Sequence, residues 1–265
     1  MALEQPKKIL NASGLSIGYK SKSHQIVIAQ NLNIDLENGK LIALVGANGI
    51  GKSTLLRTLT GIQKPLGGTV ALNGRDIFSY QPLDLAQNLS LVLTESLPPS
   101  NLTVFELIAL GRQPYTNWLG KLSNDDLEKV NEAIALTHIE HLIDKRHYEI
   151  SDGQLQVVLI ARALAQDTPL IILDEPTTHL DLFHKVSVFK LLKKLSKETN
   201  KCILFSTHDI DLAIQLSDEM IVMTEDFVEQ DQPCNLIRKG VFDNIFKDES
   251  LFFDKEKGKF SFKNL

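Results

Sequence analysis

The sequence predicts an α/β fold with a mostly parallel sheet, because three short apolar runs are each followed by a helical pattern. The runs are "LIALV" (41–45), "LIILD" (170–174) and "CILFS" (202–206). Short apolar runs that alternate with helices are typical of strands buried on both faces, and ligands bind at the carboxyl ends of such strands. We expect one further strand at "EMIVMT" (219–224).

Two regions flank or interrupt this pattern. Residues 8–36 and 69–78 predict shorter strands joined by turns such as "LNGRD", which together form an antiparallel β piece. Between 96 and 150 no strand pattern is present. Thr103 followed by Glu106 is a capping box and predicts a helix start, Gly111 is the expected helix stop, and a second helix should begin at Ser123.

The predicted organisation is therefore one domain over residues 1–265. Residues 1–95 and 151–225 form the α/β core, 96–150 form an inserted helical subdomain, and 226–265 form a C-terminal extension. The net charge of -5 and the lack of a basic stripe do not favour a nucleic-acid partner. The two cysteines fit no metal-ligand spacing, and no run approaches the ~18 apolar residues of a membrane span.

The first strand leads into a phosphate-binding motif. "GANGIGKST" (46–54) matches G-x-x-x-x-G-K-[ST] between a strand and a helix. Its glycines permit close approach of the backbone, whose N–H groups can bind phosphate, while Lys52 reaches the β- and γ-phosphates and Ser53 faces Mg²⁺. A glycine-rich turn before a helix is the alternative. The expected nucleotide-binding residues are Gly46, Ala47, Asn48, Gly49, Ile50, Gly51, Lys52, Ser53 and Thr54.

An acidic pair follows the strand at 170–174. Asp174 can hold Mg²⁺ through its water shell, and Glu175 would polarise an attacking water. Such a pair alone is often a helix cap or a turn, and the phosphate motif is what makes it a site. Further along, Ser151 and Gln154 form an S-x-x-Q capping box before "VVLIARALA", and a helix start of this kind can also attract phosphate.

In order and spacing, these motifs resemble the ATPase subunit of an ATP-binding cassette (ABC) transporter over nearly the whole chain. "ISDGQLQ" resembles the signature LSGGQ, "PTTHLD" ending at Asp181 resembles the D-loop, and "STHD" carries the switch histidine, His208. Tyr19 in "GLSIGY" matches the aromatic residue that stacks on adenine. The chain departs from the family at Asp152, where the signature has a glycine.

The resemblance implies a homodimer with two ATP molecules held between the subunits. Ser151 and Gly153 would contact a γ-phosphate bound by the partner, and His208 would contact the γ-phosphate of its own site and orient Glu175. The family places a metal-binding glutamine where this chain has Thr94 beside Glu95. Thr94, Glu95 or a water molecule must then fill the role of the glutamine, and Thr94 is the expected metal ligand, together with Ser53 and Asp174.

Within the family, the segment "TVFELIALGRQPYTNWLGKLSNDD" resembles importer subunits for iron–siderophore, haem or cobalamin. This implies an ATPase that powers a membrane permease dimer from the cytoplasmic face, with an extracytoplasmic substrate-binding protein. A soluble ABC ATPase, or a transporter of another solute in either direction, remains an alternative. A GTPase or small-molecule kinase fits less well, because N-K-x-D is absent and the signature would be unexplained.

Overall fold

The structure is a computed structural model that describes residues 8–20, 24–93, 100–246 and 250–262. The first part of the chain is mainly strands with two helices between them. These elements are β1 (Lys8–Lys20), β2 (Gln25–Glu37), β3 (Leu41–Gly46), α1 (Lys52–Leu59), β4 (Gly67–Leu72), β5 (Arg75–Asp76), α2 (Pro82–Ala86) and β6 (Leu89–Val92).

The region that follows is helical in its described residues, as the sequence predicts for 96–150. It contains α3 (Val104–Ala109), α4 (Asn124–Thr137) and α5 (Asp152–Ala165), with short 3₁₀ turns between them. Capping boxes close the amino ends of all three helices, at Thr103, Ser123 and Ser151. The predicted helix starts are therefore confirmed.

The remaining elements alternate strand and helix and then end in a hairpin. They are β7 (Leu170–Leu173), α6 (Leu182–Glu198), β8 (Cys202–Ser206), α7 (Ile210–Leu216), β9 (Glu219–Met223), β10 (Val228–Asp231), α8 (Pro233–Lys239), β11 (Leu251–Asp254) and β12 (Lys259–Phe262). None of the helices in the described part of the chain has the length and apolar character needed to span a bilayer.

The central sheet has the strand order β10-β9-β3-β8-β7-β6, and only β10 runs antiparallel to its neighbour. The four predicted core strands are confirmed within a residue at their ends. Alternate side chains of β3 enter different cores: Leu41 and Val45 pack on the α5 and α6 side, whereas Ile42 and Leu44 pack towards the second sheet. The sheet is thus buried on both faces, and β3, β8 and β7 end side by side.

The second sheet is antiparallel, with the order β2-β1-β4-β5. We expected shorter strands in this region, which is wrong for β1 and β2, because each is 13 residues long. Gly14 and Asn31 have positive φ values, but they lie at register shifts within continuous strands rather than at turns. A β-bulge places an extra residue within a strand, so a glycine or asparagine that indicates a turn in the sequence can lie inside a continuous strand.

Gly111 does not end a helix, so this prediction is also wrong. α3 ends at Ala109, and Gly111 lies in the 3₁₀ turn Leu110–Tyr115 that continues from it. A Cβ at Gly111 would lie 2.3 Å from the carbonyl oxygen of Arg162 on α5. Glycine is required here because two helices approach closely, and the reason is packing rather than helix termination.

The sequence predicts no clear pattern for the C-terminal residues, but the described ones, 226–246 and 250–262, form strands and helices. β10 pairs with β9, so the central sheet continues beyond residue 225. The hairpin β11-β12 packs through Phe253, whose ring stacks on that of Phe242 with centroids 4.8 Å apart. Within the hairpin, the rings of Phe253 and Phe260 meet edge to face at 5.1 Å.

Candidate functional site

The phosphate-binding motif forms a tight loop between β3 and α1. Gly46, Gly49 and Gly51 all have φ values between 76° and 157°. A Cβ at Gly46 would lie 2.5 Å from the carbonyl oxygen of Met223, and one at Gly51 would lie 2.4 Å from a methyl group of Ile28. The close contacts at Gly46 and Gly51 exclude a larger residue without a change in this path, and the positive φ at Gly49 favours glycine there.

Lys52 is buried, although it carries a charge. Its Nζ donates hydrogen bonds to the carbonyl oxygens of Gly46 at 3.0 Å and Ala47 at 3.2 Å. Burial lowers the pKa of Lys52 below its ordinary value, and the carboxylates of Glu175 and Asp174 only partly oppose this shift. A desolvated ammonium group at the start of a helix is suited to an anionic ligand, which supplies the missing counter-charge.

The acidic pair lies at the end of β7, beside β8. The Ser206 hydroxyl donates to Oδ1 of Asp174 at 2.6 Å and accepts from the backbone N–H of Glu175 at 2.8 Å. The Thr178 hydroxyl lies 3.1 Å from Oε2 of Glu175. The Ser206 hydroxyl on β8 therefore orients Asp174 and the backbone of Glu175, and the Thr178 hydroxyl, in the loop after β7, orients the Glu175 carboxylate.

His208 connects the acidic pair to the phosphate loop. Its Nε2 lies 2.6 Å from Oε1 of Glu175, and its Nδ1 lies 3.5 Å from Nζ of Lys52. A neutral imidazole protonated on Nε2 satisfies both contacts, because it donates to the carboxylate and accepts from the ammonium group. The switch histidine predicted from "STHD" therefore lies between the expected phosphate ligand and the expected catalytic carboxylate.

An open cavity of about 520 Å³ collects these groups, which is a suitable volume for a nucleotide. Tyr19 is half exposed at its edge, and its hydroxyl lies 2.8 Å from that of Thr54. The cavity is lined by residues of β1, β2, the phosphate-binding motif and the loops that carry Glu175 and His208. These residues are Tyr19, Ile28, Asn48, Gly49, Gly51, Lys52, Ser53, Thr54, Glu175 and His208.

Seven predicted site residues of the described chain are not among these lining residues: Gly46, Ala47, Ile50, Ser151, Gly153, Asp174 and Asp181. Ser151 is the exposed amino-terminal cap of α5, where its Oγ accepts from the N–H of Gln154 at 3.3 Å. Gly153 lies in the first turn of α5, and Asp181 caps α6. Asp181 and Gly153 both lie beside the ring of His184. Thr94 and Glu95 lie outside the described residues, so the metal role expected of Thr94 stays a prediction.

Sequence reasoning did not identify Ser206, Thr178 or Ile28. Ser206 ends the apolar run "CILFS", and a polar residue at the carboxyl end of a core strand was the available signal. Thr178 and Ile28 had no comparable signal, because their roles depend on contacts with Glu175 and Gly51 that only the folded chain brings together.

Comparisons with known proteins show the family to which this chain belongs. The family model for the ABC transporter matches residues 29–178. The achromobactin transport ATP-binding protein CbrD of Dickeya dadantii (strain 3937) is 39% identical over 233 residues, which cover 88% of this chain and 85% of the relative. The iron(3+)-hydroxamate import ATP-binding protein FhuC of Bacillus subtilis (strain 168) is 38% identical over 214 residues, covering 81% and 78%.

Among solved structures, a bacterial ABC transporter cassette in a dimeric form superimposes with a TM-score of 0.71. It is 26% identical to this chain, and the match covers 84% of this chain and 98% of that one. The family match, the curated relatives and the fold all agree with the resemblance seen in the motifs. The chain belongs to the ABC transporter family, and it is an ATP-binding cassette that hydrolyses ATP.

Proposed function

We propose that this chain powers a membrane permease that imports a metal chelate of the iron–siderophore, haem or cobalamin type. The curated relatives named for achromobactin transport and iron(3+)-hydroxamate import support the solute class and the direction. The observation that carries the ATPase role is the continuous set of contacts from Lys52 through His208 to Glu175 at the edge of the cavity.

In this proposal, the phosphate loop and Lys52 bind the β- and γ-phosphates, and the ring of Tyr19 stacks on adenine. The desolvated ammonium group of Lys52 and the glycine backbone fit a phosphate chain. Glu175 polarises the attacking water, and His208 holds the carboxylate in position while it contacts the γ-phosphate. Thr178 restrains the second oxygen of the same carboxylate.

Ser53 and Asp174 would hold Mg²⁺, which supplies charge neutralisation on the phosphates. The described residues contain no group of three or more His, Cys, Asp or Glu side chains that could hold a metal ion by themselves. This fits Mg²⁺, which is commonly bound through one or two protein oxygens together with water and substrate phosphates. Thr94 is proposed as a further ligand from the family resemblance.

We infer that Ser151, Gly153 and Asp181 complete the ATP site of a partner subunit in a homodimer. They lie apart from the chain's own cavity, and the start of α5 offers a hydroxyl group, backbone N–H groups and the positive end of a helix dipole. The dimeric cassette of the same fold supports this arrangement. The dimer would bind a permease at the cytoplasmic face of the membrane, and a substrate-binding protein would deliver the chelate to the other side.

The Glu175→Gln variant tests the reaction. It removes the group that polarises water and keeps the phosphate loop intact, so we expect normal ATP affinity and a loss of hydrolysis of at least about a hundredfold. Gel filtration with ATP should show a persistent dimer. A variant that hydrolyses ATP at the parent rate would remove Glu175 from the mechanism.

The same variant tests the transport role. The tagged Glu175→Gln chain, held in its ATP-bound form, is captured from detergent-solubilised native membranes, and the bound proteins are identified by mass spectrometry. We expect a polytopic permease, and chelated iron, haem or cobalamin uptake should fall in cells that carry only this variant. Recovery of soluble partners alone, with normal uptake of all three, would favour the soluble ATPase.

A further inference from the structure

The first turn of α6 contacts two parts of the chain that belong to different sequence motifs: the start of α5 and the loop that carries His208. We propose that His184 is a positioning residue that holds the start of α5 against the loop ending at Asp181, and that Lys185 extends this link to the loop carrying His208. The inference rests on the proposed function, because it assigns the start of α5 to the partner subunit's nucleotide and His208 to the chain's own.

Asp181 and His184 form a local pair that orients the imidazole ring. Oδ1 of Asp181 accepts from the backbone N–H of His184 at 2.9 Å and contacts Nδ1 of the same residue at 2.9 Å. Hydrogen bonds from the backbone and the ring of His184 lower the pKa of Asp181 below its ordinary value. The ring therefore cannot rotate away without breaking a charge-assisted hydrogen bond.

The other side of the ring lies against Gly153. A Cβ at Gly153 would lie 2.9 Å from Cδ2 of His184, 3.3 Å from Cγ and 3.5 Å from Nε2. A side chain at position 153 would therefore force the ring to shift, and the hydrogen bond to Asp181 opposes that shift. A contact within this chain therefore favours glycine at position 153, independently of any contact with phosphate.

The next residue along α6 holds a different loop. Nζ of Lys185 lies 2.9 Å from Oδ1 of Asp209, and the Thr177 hydroxyl lies 3.3 Å from Oδ2 of the same carboxylate. Asp209 directly follows His208 in the chain. Two consecutive residues of one rigid helical turn therefore contact the start of α5 and the switch loop.

In the proposed dimer this arrangement joins the two nucleotide sites. Gly153 would belong to the site formed with the partner, while His208 belongs to the site formed by its own phosphate loop. A displacement of either loop would be transmitted through the first turn of α6, because a helix moves as a unit. We therefore expect His184 to contribute to cooperativity between the two sites.

The contact itself is tested without any activity measurement. Thermal unfolding of Gly153→Ala, His184→Ala and the double variant forms a double-mutant cycle. We expect Gly153→Ala to lower the melting temperature and His184→Ala to remove most of that loss in the double variant. Strictly additive effects would overturn the proposed contact, whatever the chain hydrolyses.

The positioning role is tested by ATPase kinetics of the permease complex. His184→Leu keeps the shape of the ring near Gly153 but cannot donate to Asp181, whereas His184→Asn keeps an N–H at the Nδ1 position. We expect His184→Leu and His184→Ala to lower kcat about tenfold and to reduce the Hill coefficient for ATP, with little change in ATP affinity. His184→Asn should restore most of both values.

Lys190→Ala, at an exposed position on the same helix, is the matched control and should behave as the parent chain. Equal kcat and Hill coefficient in the parent and His184→Leu would overturn the positioning role, as would failure of His184→Asn to restore them. An inactive parent chain would instead contradict the proposed function, and the thermal cycle would still decide the contact.

Discussion

The carboxylate of Glu175 is carried by an unusual backbone conformation. Its φ is 48°, in the left-handed region that residues other than glycine rarely adopt. The conformation is stabilised by Ser206, a fully buried residue whose hydroxyl accepts from the N–H of Glu175 and donates to Asp174. Strain of this kind persists where the surroundings impose it, and here it accompanies a carboxylate, that of Glu175, which lines the cavity.

Ser206→Ala is the prediction at this scale. The change leaves the N–H of Glu175 without the acceptor that Ser206 provides and removes the hydroxyl that donates to Asp174, so we expect a loss of about 1–3 kcal/mol in the free energy of unfolding. The value of kcat should fall at least about tenfold while ATP binding is kept, because the phosphate loop is untouched. Denaturant unfolding and ATPase assays measure the two effects.

Ser90→Ala is the matched control, since Ser90 is also fully buried and its hydroxyl contacts Thr168 at 2.7 Å, away from the site. It should lose similar stability with an unchanged kcat. If both serine variants lose kcat equally, the effect of Ser206 is one of general stability, and its orienting role is contradicted.

At the element scale, a buried ion pair connects the 3₁₀ turn after α3 to α4 and α5. Nε of Arg112 lies 2.8 Å from Oδ1 of Asp126, and its Nη1 donates to the carbonyl oxygen of Ala165 at 2.9 Å. Asp126 also accepts from the backbone N–H and the hydroxyl of Ser123 in the capping box. One carboxylate thus caps α4 and pairs with the arginine that reaches the end of α5.

We predict that Asp126→Ala lowers the free energy of unfolding by about 3–5 kcal/mol, because it leaves Arg112 charged and buried without its partner. Asp125→Ala is the matched control: its carboxylate lies 3.7 Å from the same guanidinium group but is largely exposed, so the expected change is within about 0.5 kcal/mol. Urea unfolding followed by circular dichroism measures both. Equal losses in the two variants would contradict the role of the buried pair.

The same carboxylate makes this helical region sensitive to acid. Burial acts to raise the pKa of Asp126, but hydrogen bonds from Ser123 and Arg112 outweigh it and hold the pKa below its ordinary value. A lowered pKa in the folded state stabilises the fold above the ordinary aspartate pKa of about 3.9, and this stabilisation is lost as the pH falls through the folded value. The loss of stability on acidification should be smaller in Asp126→Ala.

At the scale of the whole molecule, each ATP site of the proposed dimer contains Lys52 from one subunit and Ser151 from the other. Ser151→Asp should preserve the helix, because aspartate is a good cap and favours the dipole. It places a new negative charge opposite the partner's γ-phosphate, so we predict that hydrolysis is lost while folding and ATP binding at Lys52 are kept.

Heterodimers decide whether the site is shared. A Ser151→Asp subunit paired with a Lys52→Ala subunit has one site with both defects and one with none, so ATPase activity should rise above that of either mutant homodimer. Two affinity tags isolate the mixed dimer with its permease. Activity no higher than that of either homodimer, or full activity of Ser151→Asp alone, would contradict the shared site.

The sequence by itself determined the local features of this protein. The core strands, the phosphate loop, the acidic pair and the capping boxes at Thr103, Ser123 and Ser151 were predictable, because each depends on residues within about ten positions of one another. Periodicity identified a parallel sheet, and the motif order identified the family.

Only the tertiary structure decided how these pieces meet. The order β3-β8-β7 places Ser206 and His208 between the phosphate loop and the acidic pair, and strand order arises from long-range packing that no local pattern records. For the same reason, the predictions for Gly111 and for the lengths of β1 and β2 were wrong. Gly111 is needed because α5 lies against it, and β1 and β2 are long because they pair with each other. The contact of His184 with Gly153 likewise exists only because folding brings α6 against the start of α5.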